Sequence, residues 1–358
     1  MPDLAELLRL KDGNQAYVGY PQMQVGLNKP RQAGYVTGFL ENATGLPPMQ
    51  NQGVLTNPNY DAYAQGQSHG ELAGIGAMAL PATLMAKGLR TSKAVSTAPT
   101  LDTIGQKFQA RLDKEYPDLV NQYQLLAESK GGKVLNTDIA RELSPDYAAN
   151  RTLSANVHEP ASAFVKQLYA QKLAQPAKPN STVLFTGGGT GAGKTTALEN
   201  AFPLVSKKAE MIYDTNLNNF DSATKKIDQA LESGRNVNIV YVYRDPVESL
   251  TEGALSRAEN MKKELGSGRT VPLEEHLKTH VGVREVIPQL IEKYKDNPNV
   301  SIGAVNNTFG KGNARASTLE ELPMFNPEEM GAKLRDALEN ELKAGKISKE
   351  TYEGTLGK

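Results

Sequence analysis

A glycine-rich stretch in the middle of the chain, residues 181–202, constrains the fold more than any other feature. It reads STVLFTGGGTGAGKTTALENAF, so a run of strand-forming residues leads through glycines into a lysine, two threonines and a helix-forming run. Gly188, Gly193, Lys194 and Thr195 have the spacing G-x-x-x-x-G-K-[ST] of a phosphate-binding loop, or P-loop. Since strand, loop and helix stand in the order that this motif requires, the stretch predicts a nucleoside-triphosphate site. A glycine-rich turn that binds nothing is the weaker alternative.

Each residue type in this loop has a chemical role. Backbone N–H groups of a glycine-rich loop can point inward at phosphate oxygens, and the positive end of the following helix dipole adds to the attraction. We expect Lys194 to reach the β- and γ-phosphates of ATP, and the Thr195 hydroxyl to bind Mg²⁺. The predicted nucleotide-binding residues are the whole loop and the start of its helix: Gly188, Gly189, Thr190, Gly191, Ala192, Gly193, Lys194, Thr195 and Thr196.

The composition predicts a soluble globular protein long enough for two domains, with 358 residues of which 39% are hydrophobic. Lys and Arg together number 40, as do Asp and Glu. The resulting zero net charge gives no bulk attraction to nucleic acid, so no nucleic-acid partner is predicted. The chain has no cysteine, which excludes disulfides and thiolate catalysis and fits a cytoplasmic location.

Residues 1–100 differ from the rest of the chain, because they are rich in Gly, Pro, Asn and Gln and in turn signals. This composition predicts an irregular arm with short helices, followed by a linker. Its most apolar stretch, Leu72–Ala86, is shorter than the ~20 residues of a membrane-spanning helix and contains Pro81. We therefore predict no transmembrane segment, and the N-terminus lacks the apolar core of a signal peptide.

Beyond residue 100, predicted strands alternate with helices, which favours a parallel sheet covered on both faces. The predicted fold class is α/β: a P-loop kinase-type parallel sheet flanked by helices over residues 101–358, with an irregular, partly helical N-terminal extension over 1–100. The helices expected include one that ends at Pro117, a second at about 118–129, and two further ones at Leu273–His280 and Arg284–Tyr294. The strands expected include Lys133–Asp138, a central strand over Val237–Tyr243 and a last strand over Val300–Val305.

Three carboxylates, Asp138, Asp214 and Asp245, follow predicted strands. The carboxyl ends of parallel strands face the ligand crevice, and a kinase needs a carboxylate to accept the proton of the acceptor hydroxyl. Asp245 is better explained as a helix N-cap, since Pro246 and Glu248 follow it at the positions typical of a helix start.

The other two carboxylates leave alternatives open. Asp214, followed by Thr215 and Asn216, is as compatible with a structural turn as with a contact to Mg²⁺ or substrate. Asp138, with Arg141 three residues on, is as compatible with a helix N-cap as with catalysis.

Two arginines are candidates for binding phosphate oxygens, to which their planar guanidinium is suited. Arg257 lies in a predicted helix, and Arg269 ends a glycine loop, Gly266–Arg269, that we expect to be flexible. Each taken alone is more simply explained as a solvated surface charge. His276 and His280 lie one helical turn apart without the glutamate of H-E-x-x-H, so they are predicted to be surface residues rather than zinc ligands.

Together these segments resemble the zeta-toxin family of small-molecule kinases, especially divergent versions from phages and mobile elements. Residues 134–147, VLNTDIARELSPDY, are similar to the family's strand that ends in an aspartate, with a basic residue and a Pro-x-aromatic group shortly after. The resemblance implies that Asp138 is the catalytic base for a sugar hydroxyl. Arg257 and Arg269 match the family's two phosphate-binding arginines, and with Lys194 they complete the implied catalytic set.

The resemblance also implies a substrate and partners. The implied substrate is a nucleotide sugar such as UDP-N-acetylglucosamine, and Arg141, Asp214, Thr215 and Asn216 are the implied substrate contacts, although Asp214 replaces a glycine of the family. The implied regulator is an antitoxin, or inhibition in cis by residues 1–100. The resemblance covers about residues 131–310, with one departure: the aspartate strand precedes the P-loop here and follows it in the family. A circular permutation that puts this strand in the same place in the sheet would accommodate the change.

Two other hypotheses stay open. The chain is alternatively a structural or delivery protein of a phage or mobile element, with a virion partner and a vestigial nucleotide domain, or it is a simple NTPase. A phage-delivered protein would act in the cytoplasm of the host.

Overall fold

The computed structural model describes residues 101–310 and 312–357. The predicted arm and linker at residues 1–100, with the apolar stretch Leu72–Ala86, lie outside the described residues, so the domain boundary at residue 100 stays a prediction. None of the helices described is long and apolar enough to cross a lipid bilayer.

A six-stranded sheet organises the described part of the chain, in the spatial order β1-β3-β2-β4-β5-β6. Its strands are β1 (Val134–Leu135), β2 (Thr182–Gly187), β3 (Met211–Asp214), β4 (Asn236–Tyr243), β5 (Val300–Asn306) and β6 (Arg315–Ser317). β1 to β5 are parallel, and β6 pairs antiparallel with β5. The predicted α/β fold with a parallel, helix-flanked sheet is confirmed, and β4 lies between β2 and β5 as its apolar run indicated. The short edge strand β6 was not predicted.

Helices cover both faces of this sheet. The α-helices of the described residues are α1 (Thr103–Leu125), α2 (Thr137–Ala140), α3 (Pro145–Ala149), α4 (His158–Leu173), α5 (Lys194–Ala201), α6 (Pro203–Lys208), α7 (Phe220–Glu232), α8 (Pro246–Glu248), α9 (Ser256–Leu265), α10 (Leu273–Tyr294), α11 (Pro327–Lys343) and α12 (Lys349–Leu356). A π-helical segment, Ser249–Leu255, joins α8 to α9, and short 3₁₀ turns include Arg141–Leu143 and Arg151–Ser154.

The sheet separates two apolar cores, because successive side chains of a strand point to opposite faces. Val183 and Phe185 of β2 belong to a large core that also receives side chains of α1, α4, α7 and α10. Leu184, between them, belongs to a smaller core on the other face, which is closed by α5 and α6. The carboxyl ends of the parallel strands β1 to β5 all lie on one side of this sheet, and the P-loop lies on that side.

Of the two predicted helix breaks, the one at Pro117 is present as a kink and the one before Arg284 is absent. α1 runs through Pro117 with non-helical dihedral angles at Glu115, the local kink that a proline imposes on the preceding turn. α10 is continuous from Leu273 to Tyr294, across the predicted break at residues 281–283 and through Pro288. In α10 the buried face continues across the predicted gap, from His276 and His280 to Val283 and Ile287, so burial favours one unbroken helix.

The predicted strand over Lys133–Asp138 is shorter in the structure. Strand pairing ends at Leu135, and the Asn136 side chain caps α2 by accepting a hydrogen bond from the Asp138 N–H. Asp138 therefore lies in the first turn of a helix and not at the end of a strand. The alternative prediction, that Asp138 is itself the N-cap of a helix, is also wrong, because Asn136 is the N-cap of α2.

Candidate active site

The P-loop connects β2 to α5 and is enclosed by other segments. Gly191, at φ +76°, packs so closely on the π-helical segment that a Cβ there would lie 2.1 Å from the Ser249 carbonyl oxygen. Lys194 and Thr195 begin α5, whose first N–H groups have no partner within the helix and are available to an anion. Thr195 is exposed, so its hydroxyl is accessible to a metal ion. The loop therefore has the form and the free donors that a phosphate group requires.

Lys194 reaches back to the end of β3. Its Nζ donates to Asn216 Oδ1 at 3.1 Å and lies 3.9 Å from Asp214 Oδ1. The same Asp214 oxygen accepts a hydrogen bond of 2.6 Å from the Thr186 hydroxyl on the adjacent strand. Asp214 is thus held beside the P-loop lysine, which is where a carboxylate can bind Mg²⁺ directly or through water.

Of the other implied substrate contacts on this strand, Asn216 supports the loop itself. Its side chain binds Lys194, and its carbonyl oxygen accepts from the Gly188 N–H at 3.1 Å. Thr215 donates its N–H to the Thr186 carbonyl oxygen at 3.3 Å. These bonds fix the start of the P-loop against the end of β3.

Magnesium fits this arrangement. In nucleotide sites Mg²⁺ typically keeps several waters and binds one or two protein oxygens together with phosphate oxygens. The exposed Thr195 hydroxyl and the Asp214 carboxylate are two such oxygens on neighbouring elements. In the part of the chain that the structure describes, no group of three or more His, Asp or Glu side chains forms a separate metal centre.

Asp138 lies in a cluster of arginines. Its Oδ1 accepts from Arg141 Nη1 at 2.8 Å and also forms an ion pair with Arg269 Nη1. Burial alone would raise the pKa of the Asp138 carboxyl, but the positive charges of Arg269 and Arg141 outweigh it and hold that pKa well below its usual range. Beside these arginines Asp138 is therefore an ionised, weakly basic carboxylate.

Arg257 and Arg269 converge on this carboxylate from the segment after the π-helix. The positive charge of the nearby Arg269 lowers the pKa of the exposed Arg257 to about 10. Together with Arg141 they give three positive charges around one carboxylate. The cluster has an excess of positive charge that an anionic ligand would neutralise.

The glycine loop before α10 is packed, which corrects the prediction of a flexible loop with a solvated arginine. Ser267 and Arg269 are buried, with Arg269 6% exposed. The Ser267 hydroxyl accepts from the Arg151 N–H at 2.9 Å. Arg269 is buried because Asp138 supplies the opposite charge, a partner that local sequence does not indicate.

His276 and His280 are buried, at 0% and 4% exposed, so the prediction that they are surface residues is wrong. His280 Nε2 donates to the Thr190 carbonyl oxygen at 3.0 Å, and His276 Nε2 donates to the Pro246 carbonyl oxygen at 2.9 Å. Burial lowers the pKa of both rings, that of His280 to about 3, so both are neutral. The histidines attach α10 to the P-loop and to α8.

Asp245 is the N-cap that the sequence predicted, since its Oδ1 accepts from the Val247 and Glu248 N–H groups at 2.8 and 3.2 Å.

The sequence did not indicate Asn136 as a site residue, yet Asn136 joins the two parts of the site. Its Nδ2 donates to Asp214 Oδ2 at 2.5 Å, while its Oδ1 caps the turn that carries Asp138. A continuous chain of contacts therefore runs from Lys194 through Asp214 and Asn136 to Asp138. The only sequence signal for Asn136 was its place as an asparagine before a short helix.

β1 takes the edge position beside β3, parallel to it, although it precedes the P-loop in the chain. Because β1 is parallel to β2 and β3, its carboxyl end points to the same side of the sheet as the P-loop. Although β1 precedes the P-loop in the chain, Asp138 therefore lies on the same side of the sheet as the P-loop.

Comparison with known proteins gives one family match. The family model described as Zeta toxin matches residues 199–308. This segment begins just after the P-loop and includes Asp214, Arg257 and Arg269, whereas Asp138 precedes it. No curated protein matches the chain.

Solved structures give distant matches. The native AvrRxo1-ORF1:-ORF2 complex is 17% identical over 60% of this chain and 89% of its own, with a TM-score of 0.34. A structure from the PezAT chromosomal toxin–antitoxin system of the human pathogen Streptococcus pneumoniae is 11% identical over 73% of this chain and 93% of its own, with a TM-score of 0.29.

Proposed function

We propose that this chain, which belongs to the zeta-toxin family through the match over residues 199–308, is an ATP-dependent kinase whose acceptor is a hydroxyl of a nucleotide sugar such as UDP-N-acetylglucosamine. The observation that carries the kinase proposal is the network from Lys194 to Asp138. It links a phosphate-binding loop to a carboxylate surrounded by arginines, at one edge of a parallel sheet. The choice of nucleotide sugar is supported by the family alone.

In this proposal different residues bind the phosphates, accept the proton and stabilise the charge that develops during phosphoryl transfer. Lys194 and the first N–H groups of α5 hold the β- and γ-phosphates, and Thr195 with Asp214 would hold Mg²⁺, which would supply positive charge to the phosphate oxygens. Asp138 accepts the proton of the acceptor hydroxyl as that oxygen bonds to the γ-phosphorus and the bond to the β-phosphate breaks. Arg257 and Arg269 stabilise the charge on the group in transfer.

The arginine cluster also explains how a weakly basic carboxylate becomes a base. A phosphate near Arg257 and Arg269 competes with Asp138 for their positive charge. As the arginines turn to the phosphate, the pKa of Asp138 rises back toward its usual range. Asp138 would therefore become basic only when the phosphate is in place.

The test is ATP turnover by the purified protein with and without UDP-N-acetylglucosamine, with Lys194→Ala as the inactive variant. Lys208→Ala, an exposed lysine on α6, is the matched control and should turn over ATP like the parent. ATP loss that depends on the sugar nucleotide and yields a phosphorylated sugar supports both the chemistry and the acceptor. Turnover that ignores the sugar nucleotide overturns the acceptor, and absence of ATP binding overturns the kinase.

The family also supports an inhibitory partner, either a separate antitoxin or residues 1–100 acting in cis, in a cytoplasmic setting. Deleting residues 1–100 tests the second form. Higher turnover after truncation supports inhibition in cis, whereas unchanged turnover and ATP affinity contradict it. Loss of a virion partner with unchanged turnover would favour a delivery role for this segment.

A further inference from the structure

The C-terminal helices α11 and α12, which we call the C-terminal hairpin, lie beyond the family match at residues 199–308. α11 and the turn that leads to α12 bury Leu334, Leu338 and Ile347 against Leu250 of the π-helical segment and Leu273 of α10. The hairpin therefore packs on the elements before and after the two arginines of the candidate site, and not on the sheet.

The hairpin binds the outer face of α9, the helix of Arg257. Glu259 Oε1 accepts from both the N–H and the hydroxyl of Ser348, each at 2.8 Å. Lys262 Nζ forms an ion pair of 2.6 Å with Glu350. Since residues two apart on a helix point to different faces, Glu259 is held by the hairpin while Arg257 is directed elsewhere.

The hairpin also contacts the loop of Arg269. Gly354 of α12 lies so close to Thr270 that a Cβ there would be 2.6 Å from Thr270 Oγ1. Thr270 directly follows Arg269, and on the other side of the loop Ser267 is bonded to the Arg151 N–H. The loop is thus held between the Arg151 turn and α12.

We propose that the C-terminal hairpin positions Arg257 and Arg269 for phosphoryl transfer, with Glu259, Thr270 and Gly354 as positioning residues. The proposal deepens the proposed function and, in its catalytic part, rests on it. The two contacts set the arginines from outside the site, since neither Glu259 nor Gly354 touches Asp138 or the P-loop. A Cβ added at position 354 would force Thr270 to move away from α12. Even a small displacement of Thr270 would move the adjacent Arg269 guanidinium away from the position that phosphoryl transfer requires.

The decisive variant is Gly354→Ala, because its added methyl group must push Thr270 outward. Alanine favours a helix more than glycine does, so α12 itself should stay formed. Thr270→Ala in the same chain removes the Thr270 hydroxyl and methyl groups and should relieve the clash. Gly331→Ala is the matched control, since a Cβ at this helical glycine of α11 meets only Leu277 Cδ2 at an ordinary 3.5 Å.

Two measurements on the full chain test the proposal: hydrogen–deuterium exchange of residues 266–271, and kcat with KM for ATP. In Gly354→Ala we expect faster exchange in this segment and a kcat lower by about tenfold to a hundredfold, with KM for ATP unchanged. The double variant should restore both, and Gly331→Ala should match the parent.

Exchange separates this proposal from the kinase assignment. Faster exchange that Thr270→Ala reverses, in a protein that turns over no ATP, supports the hairpin contact and overturns the kinase. Parental exchange in Gly354→Ala overturns the hairpin contact. Faster exchange with a parental kcat, or a lower kcat that Thr270→Ala does not restore, overturns its positioning role.

Discussion

The side-chain amide of Asn136 donates to Asp214 Oδ2 at 2.5 Å and joins β1 to the end of β3. Asp214 also accepts from Thr186 on β2, so three adjacent strands meet at one carboxylate. Through its other amide atom Asn136 caps the turn of Asp138. One side chain therefore sets the position of the candidate base relative to the P-loop.

Asn136→Ala should reduce kcat about tenfold to a hundredfold, because Asp138 loses both its helix cap and its connection to Asp214. Loss of a cap of this type should also lower the free energy of unfolding by about 1 kcal/mol. Steady-state kinetics and urea unfolding measure the two effects separately.

Asn219→Ala is the control for this prediction. Asn219 caps α7 by accepting from the Ser222 N–H at 2.9 Å, and it is exposed. Its loss should cost similar stability and leave kcat unchanged. Equal kinetic losses in the two variants would contradict a special role for Asn136.

Asp138→Asn should lower kcat by ~10²–10⁴ while ATP still binds, because an amide cannot accept the hydroxyl proton. It should also remove a pH-dependent part of the stability. The pKa of Asp138 is lower in the folded protein than the ~4 of an unfolded aspartate, so its contribution is present above pH ~4 and is lost as the pH falls toward the folded value.

Urea midpoints of the parent and of Asp138→Asn should accordingly converge as the pH is lowered below about 4. A parental kcat in Asp138→Asn would rule out the catalytic base. A difference in urea midpoint that stays constant with pH would contradict the ion pairs of Asp138.

His280→Gln should make the protein more tolerant of mild acid. Burial, the neighbouring His276 ring and the positive charge of Lys194 together lower the pKa of His280 to about 3, against ~6.5 in the unfolded chain. The unfolded state therefore binds a proton below pH 6.5 that the folded state excludes. Stability from this group is complete above pH 6.5 and is lost as the pH falls toward 3.

Because protonation and unfolding are linked, a histidine with this difference in pKa lowers the free energy of unfolding by about 2 kcal/mol when the pH falls from 7 to 5. Glutamine keeps a donor for the Thr190 carbonyl oxygen and does not titrate. Urea unfolding at the two pH values should show a smaller loss in His280→Gln than in the parent. An equal loss in both proteins would mean that His280 is not neutral in the folded state.

The sequence predicted well the features that local pattern decides. The P-loop, the central position of β4 and the Asp245 cap each depend on residues within one segment, whose spacing or apolar run carries the signal. The fold class followed from the alternation of such segments.

The features that failed depend on partners far away in the chain. Asn136 and Asp214 are 78 residues apart, and His280 and Thr190 are 90 apart. The sequence suggested that Arg269 is solvated, because no residue of its glycine loop indicates that Asp138 lies beside it. For His276 and His280 a signal existed, since they share helical spacing with the buried Leu273, Val283 and Ile287, and that pattern places them on the core face.

Arg257→Ala should lower kcat by ~10³ or more with little change in KM for ATP, because arginines of this kind act on charge that develops in the transition state. Arg257 is exposed, so the urea midpoint should stay close to that of the parent. Lys263 is another exposed cation on the same helix. Lys263→Ala is therefore the matched control and should leave kcat unchanged. Arg257→Lys keeps the charge but loses the planar fork, and should recover only a small part of the loss. A parental kcat in Arg257→Ala would remove Arg257 from the catalytic set, and a similar fall in Lys263→Ala would reduce its role to the general positive charge of α9.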